Sequence, residues 1–277
     1  MPTAPPAVPP DSVSPAVVQA AGVLADSARS KIPCDPVRVL FDDGDIESAY
    51  AVQRLNVRHG LEAGRRAVGR KIGLTSQAVQ SQLGVGQPDF GVLFADMEVP
   101  EGGEVPAGRL IQPKVEAEVA LVLGRDLPHR QCTVVDVLRA TDFALPALEI
   151  VDSRVCDWDI SIVDTVADNA SSGLYVLNGT PVPLTALDLA SVQMTMTRNG
   201  EIVSRGSGAD CLGSPLNAVA WLASTLAGLG DPLRAGDLVL TGALGPMAPA
   251  VPGDVFEARI SALGSVRVGF ALQGEDR

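Results

Sequence analysis

Two acids spaced two apart inside an otherwise apolar run constrain this chain more than any other feature. In Val115-Glu116-Ala117-Glu118-Val119-Ala120-Leu121-Val122-Leu123, a strand would send successive side chains to opposite faces, so Glu116 and Glu118 share a face with Ala120 and Val122 behind them. A rise of about 3.3 Å per residue sets the two backbone positions about 6.6 Å apart, a gap that two glutamates can close around one ion. An exposed strand end with two solvated carboxylates is the alternative. Glu149 adds a third acid inside Ala144-Leu145-Pro146-Ala147-Leu148-Glu149-Ile150-Val151, where an unpaired ionised carboxylate would be costly. A salt bridge to Arg154 or another base would meet that cost, and so would a metal. Ligation by oxygen alone suits a hard ion such as Mg2+ or Mn2+, and the lack of His or Cys nearby disfavours zinc.

The rest of the chain reads as helices followed by many short strands, an α+β pattern. Prolines 2, 5, 6, 9 and 10 mark residues 1–13 as a disordered tail. Ser14-Pro15 reads as a helix cap with proline at the first turn, placing Val17, Ala21, Leu24 and Ala28 on one face. A second helix is expected from Asp45, through Tyr50 and Leu55, to Gly60. Residues 14–67 therefore form a helical N-terminal lobe, and residues 68–277 a β-rich catalytic domain. There, Asn199-Gly200 reads as a hairpin turn between 194–198 and 201–205, and strands are expected at 237–241 and 255–260. Ser214-Pro215 opens a helix that Gly230 closes. It packs against a largely antiparallel or mixed sheet.

Charge narrows the function. Thirty-three acidic and 21 basic residues leave a net charge of -12, which excludes a general positive field for nucleic acid or anionic membrane. A small molecule is the expected partner, and an anionic one needs a basic pocket or a bound cation. No secretory signal or membrane span is evident, so a cytoplasmic location is expected. Cys34, Cys132, Cys156 and Cys211 are scattered and read as reduced structural thiols. His59 and His129 read as surface loop residues, leaving no Ser-His-Asp arrangement. Lys71, at the end of an apolar strand, could steady a carboxylate or move a proton. Asp89 in Gln87-Pro88-Asp89-Phe90-Gly91 reads first as a turn residue and second as an acid/base group. Asp168 to Gly173 suits either a tight turn or a grip on a polar ligand.

Six ordered blocks across residues 35–270 resemble the 2-keto-4-pentenoate hydratase family of the fumarylacetoacetase-like superfamily: Gly69 to Thr75, Leu83 to Gly91, Pro113 to Glu118, Leu148 to Arg154, Asp164 to Ser171 and Leu240 to Pro246. Gly86 departs from the pattern, since relatives often carry Asp there. The resemblance implies a mixed β-roll with a small helical N-terminal lobe, a homo-oligomer, and Mg2+ or Mn2+ held by Glu116, Glu118 and Glu149. It implies proton handling by Lys71 and Asp89, with Ser171, Leu74 and Thr241 as substrate contacts. The implied reaction is hydration of 2-hydroxypenta-2,4-dienoate to 4-hydroxy-2-oxopentanoate in aromatic-compound catabolism, with an aldolase as pathway neighbour. The rivals are a 2-oxo-3-enedioate (4-oxalocrotonate) decarboxylase, a non-catalytic scaffold subunit of such a complex, and an acylpyruvate hydrolase, whose usual His-Glu pair is not supplied here.

Overall fold

The computed structural model describes residues 14–76, 80 and 85–272; the tail expected over 1–13 and part of the Leu83–Gly91 block lie outside them. Helix α1 (Pro15–Ser30) starts where Ser14 Oγ accepts the Val17 N–H and ends at Lys31 in the left-handed region. Its buried face is Val17, Ala20, Ala21, Leu24 and Ser27; Ala28, expected on that face, is exposed. Ser27 is accommodated because its hydroxyl donates to the Arg154 carbonyl. Helix α2 (Ile46–Glu62) is capped by Asp45 and runs through Gly60 rather than stopping there. A side chain at Gly60 would press on the Phe94 ring, so this glycine serves close packing against the sheet rather than helix termination.

Strands β1 (Ala67–Gly73), β2 (Asp89–Phe94), β4 (Pro113–Leu123), β5 (Thr141–Asp152), β6 (Ser172–Leu177), β9 (Leu238–Ala243) and β10 (Ala248–Pro249) form one sheet. Its order is β2-β1-β9-β4-β5-β6 with β10 beside β4, and β1–β9 is its parallel pairing. The sheet curls until its edges approach: the Val99 N–H just beyond β2 donates to the Tyr175 carbonyl of β6. The second sheet runs β3 (Glu104–Val105), β12 (Gly264–Phe270), β11 (Val255–Ile260), β7 (Gln193–Arg198) and β8 (Glu201–Ser207). Asn199 and Gly200, both at positive φ, make the expected hairpin turn, because that geometry matches the twist of the flanking strands.

Helices α3 (Val134–Ala140) and α5 (Pro215–Leu229) cover the sheet; Ser214 caps the latter and left-handed Gly230 ends it. The main core joins both sheets with α5, while a second apolar cluster joins α1, α2 and the short helix α4 (Ile162–Ala167). Gln53 of α2 ties the two together by donating to the Phe90 and Val166 carbonyls. We propose the division near residue 67, with Val155 and α4 from the β-rich part completing the core of the helical lobe. These observations fit the expected α+β class, with curled mixed sheets.

Candidate metal and catalytic site

The β4–β5 register sets Glu116 directly opposite Glu149 and Glu118 opposite Ala147. Residues paired across antiparallel strands share a face, so the three glutamates converge, and one oxygen from each lies within 4.8 Å of the others. Glu118 and Glu149 are fully buried and Glu116 is half-buried, which removes the solvated strand end as an explanation. Glu118 Oε2 accepts the Gly242 N–H at 2.8 Å, but Glu118 Oε1 and both Glu149 oxygens accept no hydrogen bond among the described residues. Arg154 is not the partner of Glu149; it holds Asp168 instead. Lys71 Nζ takes that place, 3.2 Å from Glu149 Oε1 and donating at 2.9 Å to the Ala170 carbonyl. The glutamate contact is close but poorly directed, which reconciles the ion pair with the missing hydrogen bond.

Asp89 begins β2 opposite Gly73 and is only 2% exposed, so it is not a solvated turn residue. A Cβ at Gly73 would collide with Asp89 Oδ1 and approach Lys71 Nζ; glycine there lets the two side chains pack together. Among the described residues Asp89 Oδ1 has no hydrogen-bond partner, and Oδ2 lies 3.5 Å from Thr165 Oγ1, which is 3.3 Å from Ser171 Oγ. Lys71, Asp89 and Ser171 are thus brought to one side of the glutamates. Leu74 sits at positive φ just beyond β1. Thr241 is buried, its hydroxyl donating to the Val119 carbonyl, and it precedes the Gly242 amide that holds Glu118. Both histidines are exposed, although His59 lies in the last turn of α2 rather than in a loop. All four cysteines are free.

Four carboxylates here surround the buried Lys71 ammonium, and Lys114 adds a further positive charge near Glu116. Burial first, then the charge of Glu149, pushes Glu116 up to about 7; the same causes, joined by Glu116, hold Glu118 well above the carboxylate range. Burial also raises Asp89, although Lys71 opposes it. For Lys71, burial alone would favour the neutral amine, but Glu149, Asp89, Glu116 and Glu118 together outweigh it and raise its pKa. Orphaned anionic oxygens converging at this spacing fit a hard divalent cation, which would supply both the missing charge and the missing ligation.

The contacts made by Gly73, Thr165, the Ala170 carbonyl and the Gly242 N–H are not legible in the sequence. Thr165 and Ala170 lie within a recognised block, so their positions were visible; the backbone contacts were not, because any residue type offers a carbonyl.

The chain belongs to the fumarylacetoacetate hydrolase C-terminal family, whose model matches residues 55–271. Curated relatives named as hydratases match it over most of its length. The chain is 59% identical over 256 residues to a TodF product hydratase of Pseudomonas putida, covering 92% of this chain and 96% of that protein. It is 58% identical over 252 residues to 2-keto-4-pentenoate hydratase 1 of Dechloromonas aromatica, covering 91% and 96%. A solved structure of 4-oxalocrotonate decarboxylase from Pseudomonas putida G7, complexed with magnesium and adipate, superposes with a TM-score of 0.88 at 36% identity, covering 92% of this chain and 97% of that one.

Proposed function

We propose that the protein is a metal-dependent hydro-lyase converting 2-hydroxypenta-2,4-dienoate to 4-hydroxy-2-oxopentanoate. The buried trio Glu116, Glu118 and Glu149, with Lys71 and Asp89 beside it, carries this reading, and the 59% and 58% identity to hydratases supports it over the 36% identity to the decarboxylase. The three glutamates would hold the divalent ion, Mg2+ or Mn2+, a reading supported by the solved structure of the decarboxylase relative, which is complexed with magnesium. When bound, that ion supplies positive charge that draws the substrate's carboxylate and 2-oxygen into the site and stabilises enolate character.

Two proton movements remain for the chain itself. The first takes the 2-hydroxyl proton away and delivers one to C5, giving the conjugated 2-oxo-3-enoate. The second adds water across C3–C4, with hydroxide to C4 and a proton to C3. Lys71, kept cationic by its carboxylate neighbours, can stabilise negative charge on the substrate oxygen. Asp89, with a raised pKa and an Oδ1 that no described residue hydrogen-bonds, can carry the proton. Ser171 can orient the ligand from beside Thr165, and Leu74 and Thr241 are proposed as further substrate contacts.

The product has its hydroxyl β to the ketone, the pattern a retro-aldol cleavage requires, so an aldolase is the fitting next step in aromatic-compound catabolism. No helix among the described residues is long and apolar enough to cross a membrane, and a cytoplasmic location is proposed. Large apolar side chains exposed on the helical lobe, Val18, Ile32, Val39 and Leu61, support a homo-oligomer.

The test is to mix purified protein with the dienol, with Mg2+, Mn2+ or chelator, and follow ultraviolet absorbance and products. Metal-dependent formation of the hydroxy-oxo acid is expected; no metal-dependent consumption sinks the reading. Carbon dioxide released from a 2-oxo-3-enedioate would favour the decarboxylase, and activation of a partner by an inactive chain would favour the scaffold.

A further inference from the structure

Three consecutive non-glycine residues, Asn169, Ala170 and Ser171, hold φ at 55°, 53° and 52°. L-residues visit this left-handed region singly, asparagine most readily, so three in succession persist only where the surroundings over-determine them. Two anchors do so. Asn169 Oδ1 accepts the Val92 N–H at 2.8 Å, and its Nδ2 donates to the Val92 carbonyl at 2.9 Å. Val92 lies on β2, an edge strand, so the amide closes the pair of hydrogen bonds that a neighbouring strand would otherwise make. At the other end, Arg154 holds the Asp168 carboxylate and the Asp168 and Ser172 carbonyls. Gly91 permits the approach, since a Cβ there would collide with the Asn169 carbonyl.

The turn between these anchors supplies the Ala170 carbonyl to Lys71 Nζ and brings Ser171 Oγ to the Thr165 hydroxyl beside Asp89. We propose that Asn169 is a positioning residue that, by docking on the free edge of β2, sets Lys71 and Ser171 against Asp89. This rests on the hydratase reading for its kinetic consequence, not for its geometry. An amide is needed because it both gives and takes a hydrogen bond; a carboxylate of the same size can only accept, and would face the Val92 carbonyl.

Asn169→Gly tolerates the left-handed backbone but deletes the dock, and Asn169→Asp keeps the size but repels. In metal-loaded protein, both are expected to lower kcat about 10- to 100-fold, a loss typical of displaced catalytic groups. KM and calorimetric Mn2+ affinity should stay within about threefold of wild type. Acylation of Lys71 by acetic anhydride, followed by mass spectrometry, should quicken about tenfold as its anchor loosens. Unchanged kcat and Lys71 labelling with only a lowered melting temperature would make Asn169 merely structural and overturn the inference. Mn2+ affinity falling in step with kcat would also overturn it, by placing the effect on the glutamates. Wild-type protein without turnover would defeat the hydratase reading instead, and the labelling ratio would then decide this inference alone.

Discussion

Replacing Glu118 with glutamine should stabilise the metal-free protein while abolishing its metal response. The substitution removes one charge, preserves volume and leaves an amide oxygen to accept the Gly242 N–H. The ligand oxygens lie within 4.8 Å of one another, and at an effective dielectric near 20 two unit charges at that separation repel by roughly 3.5 kcal/mol. Glu118 faces two such neighbours. Protons relieve part of the repulsion, since Glu116 and Glu118 are both raised, and Lys71 offsets another part. A net relief of about 1–3 kcal/mol remains, or roughly 2–10 °C for a chain of this length. Wild-type protein at 100 times the metal Kd gains about 2.7 kcal/mol. Loss of a direct anionic ligand should cost more than the ~10- to 100-fold in affinity that follows loss of a group behind one, so that gain nearly vanishes in the variant. Thermal unfolding of both proteins at pH 7.5, metal-free and across an Mg2+ or Mn2+ titration, measures both effects alongside dienol consumption. A metal-free variant that melts below metal-free wild type would refute the repulsion argument; an undiminished metal shift would refute the ligand assignment.

The same groups set a pH dependence. Glu116 rises from 4.5 to about 7 on folding and Glu118 rises with it, so the folded metal-free state binds more protons than the unfolded one, and its stability should fall as pH climbs between those values. Metal affinity should rise over the same interval, and melting curves with and without metal between pH 5 and 8 read both trends. Lys71→Met and Asp89→Asn should each lower kcat by about 10²–10⁴, the usual range for lost proton-transfer groups; steady-state kinetics of folded, metal-loaded variants would expose an error if turnover stayed within tenfold. Gly73→Ala drives a methyl into Asp89 Oδ1, so activity should fall by an amount approaching that of Asp89→Asn while calorimetric metal binding persists.

Much of the architecture could be read locally because its causes are local. Ser14-Pro15, Ser214-Pro215 and Gly230 mark helix ends through backbone groups within one turn, and Asn199-Gly200 sets its hairpin through two φ angles. Gly60 misled because its role is contact with Phe94 across the fold, and local spacing carries no trace of that ring.

The sequence by itself determined that Glu116 and Glu118 share a face, since strand periodicity is a property of the backbone, and that a charge on Glu149 would need compensation. Tertiary structure decided the rest. The β4–β5 register put Glu149 opposite Glu116, Lys71 rather than Arg154 came to its side, and a buried Asp89 met Lys71 over Gly73. Those choices rest on pairing between segments tens of residues apart, where the free energy of burying unmatched charge depends on which distant groups arrive with it.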